Sequence, residues 1–171
     1  MAHIVTVRGK TPRVGKNCFL AETAVLIGDV VLGDDCSVWY GAVLRGDVNP
    51  IRVGNGVNIQ DNAVLHTLYE QSVVELGDNV SVGHNATVHG AHVGRGSLIG
   101  MGAVLLDWVE VGEGALVAAG AVVSPRTVVP ARTLWAGVPA RLQRELTVEQ
   151  SERMAAATAA GYKICLLYTS D

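Results

Sequence analysis

The sequence predicts an all-β protein, a parallel β-helix of hexapeptide repeats followed by one C-terminal α-helix. Three observations carry this prediction: a six-residue aliphatic period, insertions confined to one place in that period, and a composition suited to short, uniform strands. Hydrophobic residues make up 49% of the 171 residues, aromatic residues only 5%, and there are 20 glycines. Such a chain builds its core from medium-sized branched side chains with frequent turns.

The aliphatic period begins at Val14 and runs to Trp135, and a glycine often follows the aliphatic residue. Neither helical nor alternating periodicity explains it, whereas three hexads per coil form a prism with the aliphatic side chains stacked inside. At three per coil, these anchors make about six to seven coils. The anchors are Val14, Leu20, Leu26, Leu32, Val38, Leu44, Val53, Ile59, Leu65, Leu76, Val82, Val88, Val93, Ile99, Leu105, Val111, Val117, Val123, Val129 and Trp135.

Longer or shorter steps interrupt the period after Leu44, Leu65 and Val88, each time after the third hexad of a coil. Insertions at one corner are expected of loops on one side of a solenoid. The interruptions therefore support the grouping into coils. The predicted coils begin at Val14, Leu32, Val53, Leu76, Val93 and Val111.

The prism is predicted to occupy residues 1–141, and residues 142–163 to carry a helix packed on its outside. Thr147 and Gln150 have the spacing of a capping box, and the Ala-rich run after them favours a helix over about 148–160. Residues 164–171 are apolar without periodicity and are predicted to form an irregular tail.

Charge and hydropathy argue against two classes of function, nucleic-acid binding and insertion into a membrane. The net charge is −3 without a basic run, so the sequence does not favour a nucleic-acid partner. Nowhere do 18 apolar residues run together, so we expect no membrane span. The first ten residues, MAHIVTVRGK, lack the long apolar stretch of a signal peptide, so we expect a cytoplasmic protein.

Three histidines occupy informative positions in the register. His66 and His89 each follow the anchor of a third hexad, in neighbouring coils, so they point outward about 4.8 Å apart in one column, with Arg45 one coil earlier. His84 follows a second-hexad anchor by two residues, in the column of Tyr40, Asp61 and Met101. A single histidine on such a strand is more often a surface residue, but this grouping favours a metal site.

Within one prism, His84 is not expected to reach a metal held between His66 and His89. A second copy could supply it if prisms pack side by side around a three-fold axis, because such heterologous contacts close into a ring. If the three histidines share a metal, the sequence therefore predicts a homotrimer.

Several segments resemble the gamma-class carbonic anhydrases, in particular their short bacterial members in the hexapeptide-repeat group. They are LRGDVNPIRVGNGVNIQDNAVLHT, VGHNATVHGAHVG, IGMGAVLLD and LWAGVPARL. The resemblance implies a left-handed β-helix and three metal-ligating histidines, His66, His84 and His89, with His84 from the neighbouring subunit. It also implies active-site roles for Gln60 and Asp61 and an interfacial ion pair of Arg45 with Asp47.

The activity that this resemblance implies is the reversible hydration of CO₂ to bicarbonate by metal-bound hydroxide at the subunit interfaces. The metal would be Zn²⁺, with Fe²⁺ or Co²⁺ as alternatives, and it would lower the pKa of its water to about 7. Gln60 would hydrogen-bond the metal-bound oxygen, and Asp61 would accept that hydrogen bond or one from a ligand N–H.

The sequence departs from the archetypal enzymes at two places tied to proton transfer. Val48 stands where they carry Glu after RGD, and the stretch after His66 is short, with Glu70 its only early acid. Tyr69, Glu70 and His92 are the candidate substitutes. Two other functions stay open: an acyltransferase or thioesterase acting on a coenzyme A thioester, and a metal-binding trimeric scaffold with little activity.

Overall fold

The computed structural model describes residues 1–157 and consists of stacked coils of parallel strands. Each aliphatic anchor pairs with the anchor of the same hexad in the next coil, as in Leu26↔Leu44 and Leu44↔Leu65. This pairing produces one column of anchors on each of three faces. It confirms the predicted β-helix and the predicted start of each coil, for example Leu32↔Val53 and Val53↔Leu76.

The strands fall into an 11-stranded sheet that covers the first and third faces and an 8-stranded sheet on the second, counted over residues 1–157. The larger sheet contains His3–Val5, Val25–Leu32, Val43–Val53, Val64–His66, Val74–Leu76, Thr87–His89, His92–Val93, Val104–Leu105, Glu110–Val111, Val122–Val123 and Val128–Val129. The smaller sheet contains Phe19–Leu20, Ser37–Val38, Asn58–Ile59, Ser81–Val82, Leu98–Ile99, Leu116–Val117, Thr133–Gly137 and Ala140–Glu145.

The core is the inside of the prism, where the third-hexad anchors Leu26, Leu44, Leu65, Val88 and Leu105 are fully buried. Because residues next to an inward anchor point outward, each strand presents its other side chains to the faces. Burial of the anchors therefore fixes which residues are available for a site.

Two strands lie outside the repeat pattern and are not predicted by it. His3–Val5 adds a parallel strand beside Val25–Ile27 at the first coil. Ala140–Glu145 folds back antiparallel on Thr133–Gly137 and covers the last strand of its sheet. The second of these strands crosses position 141, where the prism is predicted to end.

The C-terminal helix begins at residue 148, where the capping box predicts it, and residues 148–157 are helical. Gln150 N–H donates to Thr147 Oγ1, and Thr147 N–H donates to Gln150 Oε1, both at 3.1 Å. Ser151 Oγ donates to the Gly114 carbonyl at 2.9 Å, which attaches the helix to the prism. The predicted end of the helix near residue 160 and the predicted tail 164–171 lie outside the described residues.

None of the helical structure in residues 1–157 is both long and apolar enough to cross a membrane.

Candidate metal centre

His66 and His89 lie side by side on the third face of the prism. They end the neighbouring strands Val64–His66 and Thr87–His89 and pair directly in the register, as the sequence predicts. Nδ1 of His66 is 3.2 Å from Nε2 of His89, and the tilted rings are 5.2 Å apart between centroids. The two rings therefore bring one nitrogen each to a common point.

The other nitrogen of each ring faces a carboxylate. Nε2 of His66 is 3.2 Å from Asp47 Oδ1, and Nδ1 of His89 is 3.0 Å and 3.1 Å from the two oxygens of Asp107. An ionised carboxylate only accepts hydrogen bonds, so both of these nitrogens carry hydrogen. When both rings are neutral, the facing Nδ1 and Nε2 then both present lone pairs, and a cation between them would relieve the repulsion.

This donor set fits a divalent transition metal. Two Zn–N bonds of about 2.0–2.1 Å at a tetrahedral angle place their nitrogens about 3.3 Å apart, close to the 3.2 Å between the rings. Metal-binding histidines usually donate their second N–H to a carboxylate or carbonyl, as His66 and His89 do here. Within residues 1–157 of a single chain, no group of three or more His, Cys, Asp or Glu side chains is placed to hold a metal ion.

His84 lies on the turn between the second and third faces, in the predicted column with Tyr40, Asp61 and Met101. Backbone hydrogen bonds between successive turns establish this stacking, from Asn85 N–H to the Asp61 carbonyl and from Gly102 N–H to the His84 carbonyl. Nδ1 of His84 is 2.9 Å from Asp61 Oδ2. Asp61 thus lies within hydrogen-bonding distance of a predicted ligand, and its role in the site stays a prediction.

Gln60 is buried beneath the same turn, and its Oε1 accepts a hydrogen bond from the His84 backbone N–H at 3.1 Å. Gln60 and His84 border a groove of about 480 Å³ whose other walls include Leu98, Met101 and Leu116. The aliphatic walls suit a small apolar molecule better than a charged one.

Arg45 and Asp47 set the electrostatics around His66. Arg45 Nη1 donates to Asp47 Oδ2 at 2.9 Å within the same chain. Burial by itself would raise the pKa of the Asp47 carboxyl, but the hydrogen bonds from Arg45 and His66 lower it overall. Burial, followed by the charge of Arg45, lowers the pKa of His66, which favours the neutral ring that binds metals.

The three candidate proton-transfer residues are exposed at the surface of the prism. Tyr69 is half exposed, with the Arg8 guanidinium 5.7 Å from its ring centroid, and Glu70 is exposed in the same loop. His92 belongs to the first face, where its Nδ1 is 3.8 Å from Glu75.

Asp107 is the site residue that the sequence reasoning missed. The segment IGMGAVLLD ends in it, two positions after the anchor Leu105, but the register does not show which side chain its carboxylate would reach. Its contact with both a ring nitrogen of His89 and the hydroxyl of Ser72 emerges only from the folded loops.

Comparison with known proteins places this geometry in a family. The family described as bacterial transferase hexapeptide (six repeats) matches residues 11–46 and 90–125. The carbonic anhydrase of Geobacillus kaustophilus is 44% identical over 151 residues, which cover 88% of this chain and 82% of that protein. The mitochondrial gamma carbonic anhydrase 2 of Arabidopsis thaliana is 47% identical over 152 residues, but the chain spans only 55% of its length.

Among solved structures, a proposed acetyltransferase from Bacillus cereus superposes with a TM-score of 0.88 at 39% identity and covers 94% of both chains. The stacked coils and these matches define a hexapeptide-repeat β-helix protein. Within that class, the chain belongs to the family of the gamma carbonic anhydrases. This membership confirms the resemblance inferred from the RGD, NIQD and GHNATVHG segments.

Proposed function

We propose that this protein is a zinc-dependent enzyme that hydrates CO₂ reversibly to bicarbonate at the interfaces of a homotrimer. Each site would combine His66 and His89 of one copy with His84 of a neighbouring copy. The observation that carries the proposal is the pair of ring nitrogens 3.2 Å apart, with the opposite nitrogens of both rings held by carboxylates. The names of the Geobacillus and Arabidopsis relatives supply the reaction.

A bound divalent cation would act as a Lewis acid and lower the pKa of water, which generates a nucleophile near neutral pH. Zn²⁺ is the first choice, because three histidines with an open fourth position are typical of catalytic zinc sites. Fe²⁺ and Co²⁺ are the alternatives. The protein's part is to hold three neutral imidazoles in place. Asp47 and Asp107 would do this for His66 and His89. Asp61, which is 2.9 Å from Nδ1 of His84, would do it for His84 by accepting from that nitrogen and leaving the lone pair on Nε2.

The groove beside Gln60 and His84 is proposed to receive CO₂. Its aliphatic walls match an apolar substrate, and the buried Gln60 amide would orient a substrate oxygen there. The Oε1 atom of Gln60 already accepts from the His84 backbone, so this role falls to the amide NH₂ group.

The distribution of the proposed ligands supports a homotrimer. One chain brings only two of the three histidines together, and His84 points from a different corner of the prism. Side-by-side packing around a three-fold axis repeats one heterologous contact and completes three equivalent sites. The Arg45–Asp47 pair, which lies beside His66, would then be close to the subunit contact.

An acyl transfer or thioester hydrolysis on a coenzyme A thioester is the second candidate, and the name of the Bacillus cereus structure favours it. Such chemistry needs one histidine as a general base next to an acyl acceptor. Here His66 and His89 face each other, which suits a shared cation better than a lone base. A metal-bearing trimer without catalysis is the remaining alternative.

The test is metal content and mass in solution, for wild type, His84→Ala and the control His3→Ala, which changes an exposed histidine of the first strand. We expect wild type to hold one zinc per chain as a trimer, His84→Ala to lose zinc with the prism still folded, and His3→Ala to match wild type. Stopped-flow CO₂ hydration should follow the zinc content. A monomer that retains stoichiometric zinc would exclude the shared site, and a metal-free wild type that binds coenzyme A would favour acyl transfer.

A further inference from the structure

We propose that Ser72 and Asp107 form a positioning pair that holds His89 in its metal-binding tautomer. The inference rests on the proposed function, because it assigns these two residues to the same metal site. Neither residue would touch the metal or the substrate. They would act through His89, with the short loop after His66 as the element that carries Ser72.

Both carboxylate oxygens of Asp107 lie within hydrogen-bonding distance of Nδ1 of His89. Oδ2 is 3.0 Å from Nδ1 of His89, and Oδ1 is 3.1 Å from the same nitrogen. Ser72 Oγ donates to Oδ1 at 2.6 Å, so the hydroxyl holds one of the two oxygens that lie near the ring nitrogen. With the carboxylate fixed, Nδ1 of His89 keeps its hydrogen and Nε2 keeps the lone pair that faces His66.

The direction of the Ser72 hydrogen bond is itself determined by the backbone. Leu68 N–H donates to Ser72 Oγ at 2.9 Å, which occupies a lone pair of the hydroxyl and leaves its hydrogen for Asp107. Ser72 is buried, so water does not compete with Asp107 for the hydrogen of its hydroxyl.

The loop that carries Ser72 is anchored at three points. Asn49 Nδ2 donates to the carbonyls of Leu68 and Ser72, both at 2.7 Å. The indole N–H of Trp108 donates to the Gln71 carbonyl at 3.2 Å. These hydrogen bonds fix the loop after His66, which is short and contains few acids for proton transfer. They therefore position the Ser72 hydroxyl beside Asp107.

Gly90 provides independent support for the Ser72–Asp107 pair. Because it has no side chain, it leaves the space that these two side chains occupy. A Cβ at Gly90 would overlap Ser72 Oγ and Asp107 Oδ1 and would lie 2.6 Å from Ser72 Cβ. The backbone there also has φ of +61°, a conformation that glycine adopts without strain. The glycine directly after His89 thus makes room for the hydrogen bond that orients His89.

The test compares Asp107→Asn, Ser72→Ala and the control Ser97→Ala by two measurements. Ser97 is also buried, and its hydroxyl donates to the Gly112 carbonyl at 2.8 Å, away from the histidines. Zinc affinity is measured by competition with a chelating dye. The tautomer of His89 is measured in the metal-free protein by long-range ¹H–¹⁵N spectra in alkaline buffer.

We expect Asp107→Asn to weaken zinc binding about 10–100-fold, Ser72→Ala to weaken it by a smaller factor, and Ser97→Ala to leave it unchanged. In Asp107→Asn, the amide NH₂ can donate to Nδ1 of His89, so the spectra should show the hydrogen moved to Nε2. These shifts would not follow from a merely structural role, because Ser97→Ala also removes a buried hydroxyl.

Two outcomes overturn the inference in distinguishable ways. If wild type binds zinc but Asp107→Asn and Ser72→Ala bind it equally well, with His89 still carrying hydrogen on Nδ1, the positioning role is wrong and the proposed function stands. If wild type binds no divalent metal at all, the proposed function fails, and the positioning role fails with it.

Discussion

Replacing Gly90 by Ala tests whether the space beside His89 is needed for the Ser72–Asp107 hydrogen bond. Two costs are expected. An L-residue in the left-handed region costs about 1–2 kcal/mol, and loss of a hydrogen bond to a charged group costs about 1.5–3 kcal/mol. Together they predict that Gly90→Ala lowers the free energy of unfolding by about 2.5–5 kcal/mol.

Gly96 offers a matched control for the backbone cost alone. Its φ of +65° is close to that of Gly90, but a Cβ there would meet nothing within 4 Å. It lies on the turn after Val93, between the first and second faces and away from the histidines. Gly96→Ala should therefore cost only the strain of about 1–2 kcal/mol.

The assay is urea unfolding of both variants and wild type, followed by circular dichroism at one protein concentration because the protein is proposed to be a trimer. Zinc affinity is measured in parallel and should fall in Gly90→Ala only. Equal destabilisation of the two variants, with zinc affinity preserved in both, would show that the side chains of Ser72 and Asp107 move aside without cost and would refute the reasoning.

Two further predictions concern the prism itself. Leu26→Ala removes a fully buried anchor and should lower the free energy of unfolding in urea by about 2–5 kcal/mol. The control Leu142→Ala, at a side chain that is 51% exposed, should change it little. Similar losses in the two variants would mean that the anchors do not stabilise the core. The pKa of Asp29 is lowered, chiefly by the hydrogen bond from Arg52 and further by Lys10, so its ionised form stabilises the fold above the unfolded-state pKa. The stability advantage of wild type over Asp29→Asn should therefore shrink as pH falls below about 4, and an advantage that stays constant down to acid denaturation would contradict this assignment.

Most of the fold could be predicted because a stacked solenoid repeats one constraint. Every sixth residue must fill the same interior, so the sequence itself records which side chains point inward. The paired anchors Leu65 and Val88 then determine that His66 and His89 are neighbours. The end strands His3–Val5 and Ala140–Glu145 could not be predicted this way, because each occurs once and covers an end of the stack instead of extending the repeat.

The position of Asp107 is harder to predict from the sequence than the positions of His66 and His89. Asp107 stands two positions after its anchor Leu105, and Gly90 stands two positions after Val88 in the coil before. Because Gly90 has no side chain, the carboxylate of Asp107 can occupy the space there and reach Nδ1 of His89. The hydroxyl of Ser72, from the loop after His66, occupies the same space. A glycine next to a predicted ligand histidine, with an acid in the same column one coil later, is a signal that the sequence does contain. It has meaning only once the coils are stacked, and the contribution of Ser72 depends on the path of an insertion that no repeat specifies.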